Sequence, residues 1–518
     1  MSLIKSVATV GGFTMISRVL GFIRDILMAS VLGAGPVADV FLVAFRIPNM
    51  FRRLVAEGAF SAAFIPLFAR KLESEGKEMA LEFASHSLSV LTGFLLIFSA
   101  LFMIFMPLMM QFLAPGFEVG GMRYELAVDY TRITFPYLTA MAIVALLGGV
   151  LNAFYKFAAM AAAPILLNII LIGSLLLAFE QREETVGFIL CWGVAAAGVA
   201  QIIYLVIACW RSDIKVPLEL PVINKDIKRL FQLMLPGMLG AGVMQINILV
   251  GTIIASFLAT GSISYLYYAD RVYQLPLGVI GIAVGTALLP MLSRQLRSGE
   301  EKTALNSMNR AVELSMLLTL PAAAALMIIP EEIVTVLFQH GEFTATASLA
   351  TATALFAFAT GLPAYVLVKI LAPGFFARED TTTPVIAGVL SMILNVVLSL
   401  ILIRYINHVG IAVATSLSSW FNVIFLFSIL RRRGHYTADT RLMRRLAGMF
   451  LATIIMAGGL FVAREFLSSS LAGDATDRIL ALVALVAGGG GIYAIGVLIT
   501  GAAPLQDIKN MLKRRPNA

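Results

Sequence analysis

Five arginines fall within the first 53 residues, inside segments that otherwise read as apolar helices: Arg18, Arg24, Arg46, Arg52 and Arg53. A guanidinium at the centre of a bilayer costs roughly 2.5–3.5 kcal/mol even on the lenient insertion scale. Such a residue is tolerated where it faces a polar cavity and meets a carboxylate or an anionic ligand. Ser17, Gly21 and Arg24 recur at i, i+4, i+7, one face of a helix, and Arg18 and Asp25 share a neighbouring face. Arg18 lies near the middle of the stretch from Lys5 to Gly33, too deep to snorkel readily to either headgroup layer. Further on, Asn49, Arg53 and Glu57 follow at i+4 spacing beside Arg52, and Pro48 frees a backbone carbonyl near them. Tyr267-Tyr268-Ala269-Asp270-Arg271 adds one carboxylate and one guanidinium. Asp39, near the end of its segment, fits a site role or a solvated one equally well. Arg18, Arg24, Arg46, Arg52, Arg53 and Arg271 stand against Asp25, Asp39, Glu57 and Asp270, a surplus of two positive charges. A phosphate or diphosphate balances such a surplus through charge-assisted, often bidentate, hydrogen bonds. Proton or metal-cation binding is disfavoured at the same spot, and no metal or other cofactor is expected.

The elements that position these groups are membrane helices. Of 518 residues, 59% are hydrophobic and 13% charged, with a mean hydropathy of +0.91. Soluble domains carry about 25% charged residues, so the chain reads as an all-α polytopic membrane protein. Apolar runs between charged or Pro/Gly breaks give fourteen expected spans. The first seven are 7–33, 36–69, 86–113, 124–154, 160–179, 185–210 and 229–259. The second seven are 262–292, 307–339, 345–372, 382–404, 409–430, 443–468 and 478–502.

The formal charge of +8 would suit nucleic acid, but its distribution argues against that partner. With alternating spans, one set of loops collects Lys71, Lys77, Lys215, Lys225, Arg294, Arg431, Arg432, Arg433, Lys513 and many others. The other set holds only Arg123, Arg182, Arg404, Arg464 and Arg478. Cytoplasmic loops carry such an excess, so both termini are expected in the cytoplasm. Arg132 and Lys369 lie near span ends and fit snorkelling side chains. Cys191 and Cys209 are 18 residues apart on one expected helix, about 27 Å, too far for a disulfide. The first apolar run lacks a small-residue cleavage site and reads as a span, not a signal peptide.

An internal repeat is visible. Ala29-Ser30-Val31-Leu32-Gly33-Ala34-Gly35 recurs as Ala255-Ser256-Phe257-Leu258-Ala259-Thr260-Gly261, and Pro66-Leu67-Phe68-Ala69-Arg70-Lys71-Leu72 as Pro290-Met291-Leu292-Ser293-Arg294-Gln295-Leu296. Phe154-Tyr155 and Phe375-Phe376 continue the series at a nearly constant offset. A unit of six spans gives two parallel copies, with a substrate site expected at the repeat interface. The expected lobes are 1–220 and 221–440, joined through Arg211–Arg229, followed by a helix pair at 441–505 and a basic tail at 506–518. Under the repeat Arg18 maps to Met244, Arg24 to Val250 and Asp25 to Gly251, so the second copy drops the charges. Elsewhere, Pro236-Gly237-Met238-Leu239-Gly240-Ala241-Gly242 lacks the Gly-Lys-Ser/Thr of a phosphate loop. No nucleophile–base pair or metal-ligand spacing stands out, which argues against an enzyme.

Arg18-Val19-Leu20-Gly21-Phe22-Ile23-Arg24-Asp25, Phe45-Arg46-Ile47-Pro48-Asn49, Arg52-Arg53-Leu54 and Ala56-Glu57-Gly58-Ala59-Phe60-Ser61 together resemble the MurJ (MviN) family. Tyr267-Tyr268-Ala269-Asp270-Arg271 and Leu371-Ala372-Pro373-Gly374-Phe375 extend the resemblance over essentially the whole chain. It implies a MOP-superfamily fold, two six-helix lobes around a central cationic cavity plus two helices forming a lipid-tail groove. It also implies flipping of lipid II, the undecaprenyl-diphosphate-linked peptidoglycan precursor, across the bacterial inner membrane by alternating access. On that resemblance Arg18, Arg24, Arg52 and Arg271 bind substrate, while Ser17, Asp39, Asn49 and Glu57 match polar positions tied to function. Asp25, Arg53 and Asp270 complete the expected cavity. A family sodium site would use an acidic residue on span seven, where this chain has Gln245 and Asn247. The driving force is therefore expected to be membrane potential or another ion gradient. The expected state is a monomer, with contacts to cell-wall synthesis machinery possible. An ion-coupled drug or metabolite antiporter, or another polyprenyl-diphosphate-oligosaccharide flippase of the superfamily, is the alternative.

Overall fold

The first helix, α1 (Leu3–Leu32), runs thirty residues with no proline and stops at Gly33, whose φ of +63° suits glycine. It opens a computed structural model that describes residues 3–502. The side chains of 3–8, 55–57, 59, 236–241, 243–244 and 279–286 fall outside the described residues, as do the tail 506–518 and the Glu57 carboxylate.

All regular structure among the described residues is helical. After α1 come α2 (Pro36–Phe51), a π-helical segment (Arg52–Phe60), α3 (Ser61–Ser74), α4 (Lys77–Ile104) and α5 (Met106–Leu113). Next are α6 (Met122–Thr134), α7 (Tyr137–Ala153), α8 (Phe157–Leu177), α9 (Glu183–Arg211) and α10 (Lys225–Ser256). Then follow α11 (Ser262–Arg297), α12 (Glu301–Ile328), α13 (Pro330–Phe338), α14 (Ala345–Phe376) and α15 (Thr382–Arg432). The last are α16 (Thr440–Phe466), α17 (Ser468–Leu471) and α18 (Ala475–Ile499).

Several expected spans are broken where proline or a strained residue forbids the helical ladder. The expected 36–69 rod changes from α to π geometry at Arg52, four residues after Pro48. Pro107 and Pro330 sit in the first turns of α5 and α13 and restart helices that the sequence runs through. The stretch α15 is two helices that meet at a kink, where Ile406 and Asn407 (φ +48°) leave helical geometry between the expected spans 382–404 and 409–430. Nine helical stretches among the described residues are long and apolar enough to cross a membrane, α6–α7 counting as one. The more charged α1, α10, α11 and the α2–α3 rod have comparable lengths.

The chain forms two compact units, one comprising 1–264 with 340–344, the other 265–339 with 345–518. The first unit runs to Ser264 because α10 lies against the π segment and α3. In that unit α1 packs on α8, α8 on α9, and α2 on α6. Lipid tails are as apolar as leucine, so helix association in a membrane rests on close packing and polar pairs. Gly198 therefore meets Ala140 and Tyr137, where a Cβ would sit 2.9 Å from that of Ala140. Phe51 gathers Phe98, Phe102 and Phe135 at ring separations of 5.4–6.0 Å.

In the second unit α14 packs on α15, and α12 lies between α14 and α16. Buried Glu313 of α12 accepts hydrogen bonds from Arg310 and Arg445, and from Arg441 at 3.4 Å. Arg310 also reaches Asp439, which caps α16 by accepting from Leu442 N at 2.7 Å. At the other end of α16, Arg464 pairs with Glu331 and Glu332 of α13. The helix is fastened at both ends.

Candidate anion-binding site

The polar face of α1 is built against α8. Asn168 Nδ2 donates to Ser17 O at 2.9 Å and lies 3.4 Å from Ser17 Oγ. One turn on, Gly21 passes close to that amide: a Cβ there would make ordinary contact, 3.5 Å from Asn168 Nδ2. Another turn on, Arg24 Nη1 donates to Asn168 Oδ1 at 3.0 Å. The i, i+4, i+7 face read from the sequence thus converges on one amide, which bridges Ser17 and Arg24. Asn168 was not among the expected site residues. Its signal is a lone amide in the apolar run of α8, a polar group that a membrane helix rarely carries without a role.

Asp25 fixes the other edge of the guanidinium. Arg24 Nε and Nη2 donate to its Oδ1 at 3.0 and 2.7 Å, and the carboxylate is 2% exposed. Arg24 itself is 11% exposed, so three hydrogen bonds hold a planar cation in low-dielectric surroundings. Pairing of Arg18 with Asp25 across their shared stripe does not occur. Packing covers that stripe only from Asp25 onward, through Met28, Ala29, Val31 and Leu32, and Arg18 stays exposed. It makes no hydrogen bond or ion pair among the described residues.

On α2 and the π segment, Arg52 Nε donates to Asn49 Oδ1 at 3.0 Å, and Asn49 Nδ2 donates to Phe45 O at 2.8 Å. Arg46 Nη1 donates to Thr252 Oγ1 of α10 at 2.9 Å. Arg53 is exposed, and its expected partner Glu57 lies outside the described side chains. In the second unit, Arg271 lies over the Tyr267 ring at 4.6 Å from the centroid, a cation–π contact, and Asp270 accepts from Gln274.

Asp39 does something different from the cluster. It is 10 residues before Asn49, about 15 Å along the α2 axis. Fully buried, it accepts from Gly261 N at 2.7 Å, Ser264 N at 2.9 Å and Ser264 Oγ at 2.7 Å. It thereby caps the first turn of α11, with Arg123 Nη2 at 3.8 Å as counter-charge. The Asp39 charge is matched there, so it does not offset the arginines of α1. At the end of α1, Gly33 and Gly341 bring two backbones together: Glu342 N donates to Ser30 O at 2.9 Å, and a Cβ on Gly341 would stand 2.2 Å from that oxygen.

The arrangement holds one guanidinium in a fixed plane, leaves a second exposed on the same helix, and contains no nucleophile–base pair. Such donors suit a multiply charged oxyanion, as a phosphate or diphosphate is, through charge-assisted hydrogen bonds.

The lipid II flippase MurJ family profile matches residues 28–474. The chain is 43% identical over 523 residues to the probable lipid II flippase MurJ of Rhizobium meliloti (strain 1021), covering 100% of this chain and 98% of that one. A solved lipid II flippase MurJ in an inward closed conformation superposes with a TM-score of 0.79 at 24% identity, covering 97% of this chain and 99% of that one. An inward-facing multidrug resistance MATE transporter of the MOP superfamily follows at 0.67 and 16%, covering 83% and 98%. Both structural likenesses speak to the fold.

Proposed function

Because the chain belongs to the lipid II flippase MurJ family, we propose that it moves lipid II from the cytoplasmic to the periplasmic leaflet of the inner membrane. It is a multi-pass membrane transporter, not an enzyme. In this reading α1, α10, α11 and the α2–α3 rod also cross the bilayer and α15 crosses twice, once on each side of Ile406 and Asn407, bringing the crossings to fourteen with both termini cytoplasmic. The protein acts as a monomer by alternating access, driven by membrane potential or an ion gradient.

The observation that carries the reading is the Arg24–Asp25–Asn168 unit. A diphosphate headgroup presents several oxyanion oxygens, and a guanidinium held in one plane meets two of them without losing rotamer freedom on binding. Exposed Arg18, six residues away, adds charge without a competing carboxylate. In the first unit Arg52 supplies a further guanidinium, with Ser17, Asn49 and Arg53 in support; in the second unit the family resemblance gives Arg271 and Asp270 the same part. The polyprenyl tail remains in lipid beside α16 and α18 while the headgroup crosses. Pro48 and the π segment behind it are where the α2–α3 rod bends most readily between the two access states.

Leaflet-resolved labelling of lipid II in cells depleted of the protein tests this. Outward-facing lipid II is expected to fall as the protein is depleted and to recover on complementation. An unchanged outward pool would reject the flippase reading.

A further inference from the structure

The connection between α9 and α10, residues 212–224, has no regular structure, yet it is fastened to α4 at successive heights. Near the start of α4, Lys77 Nζ donates to Asp213 O at 2.7 Å and lies 3.3 Å from Asp213 Oδ2. Higher up, Glu219 N donates to Ser89 Oγ at 2.9 Å, and Ser89 in turn donates to Ser85 O at 2.9 Å. The Glu219 carboxylate is 3.6 Å from His86 Nε2, and His86 Nδ1 is 3.5 Å from Asn224 Nδ2. Pro221 marks the furthest point, 3.7 Å from where a Cβ on Gly93 would lie. The chain then returns: Asn224 caps α10 by accepting from Ile227 N at 3.0 Å, and Asp226 pairs with Lys71 at 3.0 Å.

At 1.5 Å per residue the contacts climb about 24 Å along α4, from Lys77 to Gly93, then fall back about 10 Å to His86. The last charged or imidazole side chain on α4 is His86, and the apolar run that crosses the membrane begins beyond it. Glu219 therefore sits at the boundary, its half-exposed carboxylate toward His86, and Pro221 is set beside the apolar run.

The rest of the segment fits that depth. Leu218, Leu220, Val222 and Ile223 are 66%, 84%, 46% and 63% exposed, turned away from α4. Backbone outside a helix is tolerated at membrane depth only where its polar groups find partners. Pro217 and Pro221 carry no N–H, and Ser89 takes that of Glu219. Lys215, Lys225, Lys228 and Arg229 flank the segment, as suits an anchor whose ends stay among anionic headgroups.

We propose that residues 216–223 form a re-entrant strap that dips into the lipid leaflet on the basic face of the membrane, held to α4 by Ser89 and His86. Its occupant is the acyl–headgroup boundary of that leaflet, which the four apolar side chains enter. The strap fixes the start of α10 relative to α4, so the connection between α9 and α10 is a membrane-anchored tether in place of a free linker. The inference does not depend on which lipid is transported.

Collision-accessibility spectroscopy in proteoliposomes tests it. A nitroxide is placed by Leu220→Cys, with Asp213→Cys as a water reference and Leu451→Cys on α16 (51% exposed) as a lipid reference. The native Cys191 and Cys209 are 0% and 4% exposed and react poorly. The ratio of oxygen to nickel-chelate collisions at 220 is expected to be several-fold above that at 213 and close to that at 451. A ratio equal to that at 213 would overturn the proposal, as would protection from both reagents, which would mean a protein covers the segment. Leu218→Cys reads the same property should the 220 label impair folding. Ser89→Ala is expected to lower the ratio at 220 while leaving 451 unchanged; an unaltered ratio would overturn the attachment through Ser89.

Discussion

Two arginine–carboxylate clusters sit among apolar helices of this protein, and they are organised in opposite ways. In the first unit a single guanidinium, Arg24, is held by its chain neighbour Asp25 and by the amide of Asn168 on another helix. In the second unit a single carboxylate, Glu313, is shared by Arg310, Arg441 and Arg445 from two helices, with Asp439 as a further acceptor. The first arrangement orients a cation; the second surrounds an anion and ties α12 to α16. A shared carboxylate between helices is a fastening, whereas a guanidinium locked from behind is a donor prepared for a ligand. The two should fail differently when altered.

The largest effect is expected from Glu313→Gln. Removing one partner of a buried ion cluster leaves uncompensated charge, and such losses run to about 3–5 kcal/mol. Thermal unfolding of purified protein should show a large drop, with activity per folded molecule unchanged. Selective loss of transport at normal stability would show that the Glu313 cluster is not merely a fastening.

Arg24→Lys should do the reverse. Lysine keeps the charge but lacks the planar fork, and a hydrogen bond to a charged group is worth about 1.5–3 kcal/mol, roughly tenfold to hundredfold in binding. Unfolding temperature should move little while complementation of a depleted strain fails. Asn168→Ala, which unlocks Arg24 without removing it, should lower transport by a smaller factor and be partly rescued by Asn168→Gln.

Gly341→Ala probes the close approach of backbone 341 to Ser30. Its φ of +54° costs an L-residue about 1–2 kcal/mol, and the added Cβ meets Ser30 O as well. A moderate fall in unfolding temperature is expected.

The smallest effect is that of Asp380, in the loop after α14. Hydrogen bonds from the Thr383 hydroxyl and backbone, and from Arg433, hold its carboxyl down at about 2. A depressed folded-state pKa gives stability that is present above the ordinary carboxylate range and is lost as pH falls toward about 2. Asp380→Asn should therefore unfold slightly earlier than the parent at pH 7, and the gap should narrow below pH 4, as melting curves across that range would record.

How much of this was legible in the sequence follows from what helical spacing reports. Spacing identifies faces, so Ser17, Gly21 and Arg24 were read correctly as one surface. It does not report which neighbour covers a face. Asn168, 144 residues from Arg24, therefore escaped notice, and the Arg18–Asp25 stripe seemed continuous although packing covers only half of it. Asp39 looked like part of the arginine group because charge was summed along the chain; its partners are the start of α11 and Arg123. Glu313 drew no attention inside an apolar run, since its arginines come mainly from α16. Pro48 marked a freed carbonyl within one expected span, 36–69, without giving the change to π geometry at Arg52, whereas the kink at Ile406 and Asn407 falls at the expected boundary between two spans.

The central claim is that Arg24, oriented by Asp25 and Asn168, recognises the diphosphate of the transported lipid. Leaflet-resolved lipid II labelling in cells whose only copy carries Arg24→Lys tests it most directly, with membrane abundance measured alongside. The account predicts normal abundance and lipid II retained in the cytoplasmic leaflet. Outward lipid II at the parental level would contradict it.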